Sequence, residues 1–170
     1  MLLRSTVLKK HLMLLSASAA QPLSRILQDA GLRPTRQRIA LAGLLRTMGP
    51  AHYSAESLHK LATDSHIPVS LATVYNTLHQ FSGAGLMRQI AVSGHTVYFD
   101  TDVAEHPHFL VEREGRIIDI SAGEMRVCPL PDPPHGHVVT QVDVVVHLRR
   151  VEHSHLAQKC SGKKSPQRFI

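Results

Sequence analysis

Cysteine is scarce in this chain. Cys128 and Cys160 are the only two in 170 residues, they lie far apart, and neither belongs to a Cys-x-x-Cys pair. That excludes a disulfide framework and a four-thiolate zinc site, and it fits a reducing cytoplasm. Long apolar runs are missing as well: no stretch approaches the roughly twenty residues needed to cross a bilayer, so no membrane association is expected. Residues 1–20 imitate a secretion signal with Lys9, Lys10, Leu12-Met13-Leu14-Leu15 and the small run Ser16-Ala17-Ser18-Ala19-Ala20. The apolar core of that segment falls short of the roughly seven to fifteen residues a signal needs, so it reads as a disordered extension.

Charge is also absent where it would be most conspicuous, on a helix spanning residues 71–83. Ser70 is a good N-cap, and Gly83 and Gly85 mark the stop. Leu71, Val74, Leu78 and Phe81 share one stripe that a core can bury. The other faces carry Thr73, Tyr75, Asn76, Thr77 and Gln80, neutral hydrogen-bonding side chains suited to base edges and phosphates in a major groove. Before this helix, Ser54-Ala55-Glu56-Ser57-Leu58 opens another, and His66-Ile67-Pro68-Val69 is a short connector with a helix breaker. After it, residues 87–92 and 96–100 flank Ser93-Gly94-His95, a hairpin turn. Helix, turn, helix and hairpin in that order predict a winged helix with residues 71–83 as its recognition helix. Arg36 and Arg38, near the start of an earlier helix expected over residues 35–48, are expected to contact phosphates.

A hydrophobic content of 43% supplies ordinary cores, and a net charge of +6 favours a polyanionic partner, although part of that surplus lies in the tails. The expected fold is α+β: an N-terminal winged helix-turn-helix domain over residues 21–99 and a small α/β dimerisation domain over 100–150. A basic, disordered tail follows over 151–170. In the second half, residues 108–111, 116–120 and 138–148, the last containing Val142-Asp143-Val144-Val145-Val146, are strand material. The intervening Cys128-Pro129-Leu130-Pro131-Asp132-Pro133-Pro134 cannot be helical, because proline removes donors and fixes φ. A sheet this short buries too little to stand alone, which predicts a homodimer presenting two recognition helices to two half-sites on double-stranded DNA.

Histidine is abundant, with 13 in the chain. His106 and His108 bracket Pro107 before a strand and project to the same side. Asp100 closes the hairpin and His52 precedes the helix-turn-helix pair, so His52, Asp100, His106 and His108 are candidates to converge where the two domains meet. Three imidazoles and a carboxylate suit Fe, Mn or Zn. The plainer alternative for a His-x-His on a surface strand is two solvated polar side chains.

The segments Gly31-Leu32-Arg33-Pro34-Thr35-Arg36-Gln37-Arg38, His52-Tyr53-Ser54-Ala55-Glu56, Ser70-Leu71-Ala72-Thr73-Val74-Tyr75-Asn76-Thr77-Leu78 and Tyr98-Phe99-Asp100 together resemble the ferric uptake regulator family over residues 21–150. The Pro-rich loop and the Val142–Val146 run look most like its iron response regulator subgroup, which is linked to iron and haem status. The resemblance implies a regulatory metal site at His52, Asp100, His106 and His108. A further family site needs an acidic residue where this chain has Pro107, and the family's structural zinc needs Cys-x-x-Cys where it has Glu112-Arg113-Glu114-Gly115, so both are expected to be absent. The subgroup's haem-associated run of three histidines is interrupted by Pro107, leaving His106 and His108, with Cys128 of the Cys128-Pro129 pair as a further candidate haem ligand.

These features predict a cytoplasmic, homodimeric, metal-responsive transcriptional repressor of iron- or haem-linked genes, and not an enzyme. Three alternatives stand beside it. A peroxide- or zinc-sensing regulator of the same family would share the fold. A metal store would treat the histidines as a sink. A cupin-like metalloenzyme would use His106, His108 and Glu112, which match His-x-His-x-x-x-Glu.

Overall fold

The structure is a computed structural model describing residues 21–90, 92, 96–121, 123–125 and 130–151. The expected N-terminal extension, the Ser93-Gly94-His95 turn, both cysteines and all of the basic tail after Val151 lie outside those residues. Each helix of the first half starts and stops on a residue suited to the task. Helix α1 (Leu23–Asp29) ends before Gly31, whose φ of +79° suits glycine. Helix α2 (Arg36–Met48) is capped by Thr35, whose hydroxyl accepts the Arg38 N–H at 3.3 Å, and ends at Gly49. After a two-residue strand β1 (His52–Tyr53), helix α3 (Ala55–Asp64) opens on a reciprocal capping box. The Ser54 hydroxyl accepts from the Ser57 N–H at 3.2 Å, and the Ser57 hydroxyl accepts from the Ser54 N–H at 2.9 Å.

The connector to helix α4 (Leu71–Gly83) turns sharply at His66, a non-glycine residue held at φ +56°. Nε2–H of His59 donates to the Val69 carbonyl at 3.2 Å and ties the connector to α3. Ser70 caps α4 as expected, accepting the Thr73 N–H at 3.2 Å.

The buried stripe of α4 differs from the expected one at two positions. Val74, Leu78 and Phe81 are buried, but Leu71 is 42% exposed while Thr77 is only 4% exposed. Residues 74, 77, 78 and 81 follow the i, i+3, i+4, i+7 pattern of a face about 100° wide, while Leu71 sits on the exposed first turn. Thr77 therefore belongs to the core and is withdrawn from the groove-facing set.

Strands β2 (Arg88–Ile90) and β3 (Tyr98–Asp100) are antiparallel, as a hairpin requires. Strand β3 also pairs with β1, giving a sheet of order β1-β3-β2 in which His52 sits opposite Asp100. A second sheet, of order β5-β4-β6, is built from β4 (His108–Val111), β5 (Arg116–Asp119) and β6 (Val145–Leu148). Strands β4 and β5 are antiparallel with His108 opposite Asp119, whereas β4 and β6 are parallel. Among the described residues the chain beyond β3 holds strands and turns but no helix, so the expected small α/β unit is here built of strands alone. Its prolines leave the residues before β6 irregular. The last strand is also shorter than its valine run suggests: Val138, expected in it, is 79% exposed and has no neighbouring strand.

The helices and the first sheet enclose one large apolar cluster, with Leu27, Leu41, Leu45, Leu58, Val74, Leu78, Phe81 and Phe99 at its centre. Of the apolar side chains on the second sheet, Leu110 and Ile117 are buried, and they pack with Ile90 of β2. Arg88 on β2 is buried, donates to the Ala104 carbonyl at 2.9 Å and pairs with Asp143, which ties the first sheet to both the segment before β4 and the segment before β6. Among the described residues no helix is long and apolar enough to cross a membrane.

Candidate metal centre and polar helix face

The two sheets meet at a cluster of five ligating side chains. The pairing of β1 with β3 sets His52 beside Asp100, the pairing of β4 with β5 sets His108 beside Asp119, and His106 enters from the turn before β4. One donor atom from each of the five lies within 4.8 Å of all the others. The Asp119 carboxylate is 2.8 Å from Nε2 of His52, 3.0 Å from Nε2 of His106 and 3.6 Å from Nε2 of His108. The Asp100 carboxylate is 3.7, 3.1 and 3.4 Å from the same three nitrogens. The structure thus brings His52, Asp100, His106 and His108 together, and adds Asp119.

Three observations test whether these residues fit a divalent cation. First, Nε2 of His52 is buried without a hydrogen-bond partner: its short approach to Asp119 lacks hydrogen-bond geometry. Second, His106 donates Nδ1–H to the Ala104 carbonyl at 2.9 Å, which in the neutral ring leaves Nε2 an unprotonated acceptor. That nitrogen faces two carboxylates, and only a proton or a metal ion between them makes the contact favourable. Third, Asp100 and His108 are each 1% exposed, so the Asp100 carboxylate sits out of water beside imidazoles that carry no charge when neutral. Burial, the largest influence, pushes the His52 pKa below its ordinary 6.5 despite the opposing pull of Asp100 and Asp119. The ring is therefore neutral and available as a ligand at neutral pH. Three imidazole nitrogens and two carboxylate oxygens form a mixed donor set suited to Fe, Mn or Zn, and two carboxylates balance a 2+ charge.

Glu112, the third member of the cupin-like pattern, is not in this cluster. It points instead to His147 of β6 at 3.1 Å and to Arg149 at 3.4 Å, and the His147 hydrogen bond, first among the causes, lowers its pKa. Cys128 lies outside the described residues, and His106 and His108 direct Nε2 into the five-donor cluster, so the haem expectation gains no geometry here.

On α4, Tyr75 and Asn76 are exposed and Thr73 is half-buried. Ser70 and Thr73 share a 2.9 Å hydroxyl contact. The Tyr75 ring leans on His79 with centroids 4.4 Å apart, and His79 meets Phe99 edge-on at 5.1 Å. A chain of rings thus runs from the outer face of α4 to the strand that carries Asp100. Arg36 is exposed, whereas Arg38 is largely engaged: its guanidinium donates to the Arg33 carbonyl and to the side chain of Gln80.

Asp119 is the residue that the sequence reading missed. Strand alternation carries its signal, since Ile117 is buried and residue 119 points to the same side of β5.

Residues 29–129 match the ferric uptake regulator family. The ferric uptake regulation protein of Legionella pneumophila is 38% identical over 95 residues, covering 55% of this chain and 70% of that protein. Its counterpart in Pseudomonas aeruginosa is 34% identical over 100 residues, covering 58% and 75%. Among solved structures, the Pseudomonas aeruginosa ferric uptake regulator with manganese superposes with a TM-score of 0.58 at 26% identity, covering 76% of this chain and 98% of that one. The Vibrio cholerae ferric uptake regulator shares the fold with a TM-score of 0.59 at 24% identity, covering 75% and 98%. Fold, donor cluster and relatives define the class, a metal-responsive transcription regulator. The chain belongs to the ferric uptake regulator family. Its relatives are regulators and not enzymes, which does not favour the cupin alternative.

Proposed function

We propose that the protein is a homodimeric repressor that binds double-stranded DNA and reports iron status, nearest in kind to the iron response regulator subgroup. Residues 21–99 act as its winged-helix reader, and residues 100–150 as its metal-binding dimerisation unit. The observation that carries this reading is the five-donor cluster at the seam between the two sheets, one strand away from the helix with the polar face.

His52 and Asp100 would hold the ion from the first sheet, and His106, His108 and Asp119 from the second. When bound, the ion supplies the positive charge these donors lack. The two sets of ligands then fix the angle between the sheets, and with it the separation of two α4 helices across a dimer. Tyr75, Asn76 and Thr73 are assigned to the groove, and Arg36 and Ser70 to the backbone, whereas the guanidinium of Arg38 is engaged by Arg33 and Gln80. The edge strand β6 and the exposed valines before it give a second copy an apolar surface to cover.

The test is metal analysis of the purified full chain, with DNA mobility shifts on genomic fragments carried out with and without the metal found. A metal-dependent change in specific binding is expected, and Tyr75→Ala is expected to weaken that binding by roughly 1–3 kcal/mol. Sequence-specific binding that ignores metal sinks the responsive role, and the absence of specific binding sinks the regulator.

A further inference from the structure

The strongest feature outside the metal cluster is a clamp between two helices on the exposed side. Nε and Nη2 of Arg38 donate to the same Gln80 carbonyl oxygen, at 2.9 and 2.6 Å, while Nη1 of Arg38 donates to the Arg33 carbonyl at 2.6 Å. A guanidinium has donors only, so the amide facing it has its oxygen there and nothing else. The nitrogen of the Gln80 amide, Nε2, has no partner among the described residues. Gln80 is exposed and lies one turn beyond Asn76 and two beyond Ala72, both also exposed, so it shares the outer stripe of α4.

We infer that Gln80 is a specificity-determining residue that Arg38 fixes as a donor-only reader, presenting Nε2–H groups to an acceptor-rich base edge, guanine O6 and N7 foremost. This rests on α4 being the recognition helix. An unrestrained glutamine offers one donor and one acceptor and pairs with adenine N7 and N6. Here the acceptor is already used, so the match to adenine is broken and guanine is the base whose major-groove edge offers two acceptors. The charged partner polarises the amide and strengthens the outward N–H donors, and the clamp removes rotamer freedom before DNA arrives. Arg38 is thus a positioning residue that acts through Gln80.

The distinguishing experiment is selection from a randomised duplex library, followed by competition binding with guanine or adenine at the position concerned. It uses the full chain loaded with Mn2+ and, in parallel, stripped by chelator. Wild type is expected to prefer guanine over adenine at one position by about tenfold, the discrimination of a good bidentate pair. Gln80→Glu, whose carboxylate keeps the Arg38 contact but has no donor to offer, should abolish that preference and leave the others intact. Arg38→Met frees the amide and should move the same position towards adenine. Arg38→Lys keeps the charge without the two-pronged clamp, and should shift the guanine-to-adenine ratio in the same direction while holding the salt dependence near wild type. Circular dichroism checks that each variant folds. Variants that lower affinity equally for all sequences, or leave the guanine-to-adenine ratio as in wild type, overturn the inference while the recognition helix stands. A wild type with no sequence preference in either metal state overturns the recognition-helix reading itself, and this inference with it.

Discussion

The two sheets are alike in size and opposite in support. Sheet β1-β3-β2 shares one large apolar cluster with the four helices, through Tyr53 and Phe99. Sheet β5-β4-β6 has Leu110 and Ile117 as its own buried apolar residues, and holds His108 and Asp119 on the side that meets the first sheet. At about 1.5–3 kcal/mol for each fully buried large apolar side chain, the first region is stable through its own core, and the second is not. What secures the second sheet within the chain is largely polar: the Arg88–Asp143 pair and the donor cluster. Stability and responsiveness are thereby separated, because a sheet held by ligands can change its attachment while the helical half stays folded.

The largest effect should come from the apolar cluster. Phe81→Ala is expected to cost about 3–5 kcal/mol in urea unfolding, while Ile117→Ala in the second sheet should cost nearer 2 kcal/mol in metal-free protein. Equal costs would erase the contrast between the two sheets.

Next comes the seam. His108→Ala removes a buried ligand and should weaken metal binding by roughly a hundredfold or more, about 2.8 kcal/mol, since even partners outside the ligand shell are worth about ten- to a hundredfold. Asp119→Ala should do the same if all five donors act together, and calorimetric titration reads both. Unchanged affinity in Asp119→Ala would reduce the site to the four ligands expected from sequence.

Proton competition should be smaller. Burial lowers the His52 pKa in the folded chain below 6.5. Above about 6.5 the ring is neutral in both states. As pH falls from there through the folded value, the unfolded chain takes up its proton first, so stability is lost on acidification. Thermal unfolding of chelator-treated protein should therefore show a Tm that drops from about pH 7.5 to about pH 5.5, with a shallower slope in His52→Gln. An identical slope in that variant would remove His52 from the account.

The smallest effect lies far from the seam. His66→Gly relieves the positive φ in the α3–α4 connector and should stabilise the chain by about 1 kcal/mol without touching metal affinity. A loss of stability there would show that the His66 side chain matters more than its backbone.

Much of this was legible in the residues. Ser70, Val74, Leu78 and Phe81 spelled out a capped helix, and the alternation around His108 and Ile117 spelled out strands. Leu71 and Thr77 exchanged places because hydropathy ranks leucine above threonine, whereas position along the helix decides burial: residue 77 lies mid-helix and residue 71 on its exposed first turn. Strand β1 was hidden because two residues show no periodicity, and it becomes a strand only by pairing with β3. Asp119 was overlooked because an acidic residue late in a short strand looks like a solvated end, and it is indeed half exposed, although its parity with Ile117 puts it on the side of β5 that carries the donor cluster. The valines from 138 onward promised a long strand, yet a ladder needs a neighbour, and within one copy β4 reaches only as far as Val145–Leu148. The engagement of Arg38 with Gln80, 42 residues away, had no local signal at all.

The division of the ligands between the two sheets has a consequence for regulation. If metal changes the affinity for an operator by some factor, the operator must change the affinity for metal by that same factor. A dimer seated on a promoter and a dimer free in solution would then load at different metal concentrations, so each occupied promoter would carry its own set point. Transcription would respond to a threshold written jointly by the five side chains at the seam and by the DNA beneath the helices.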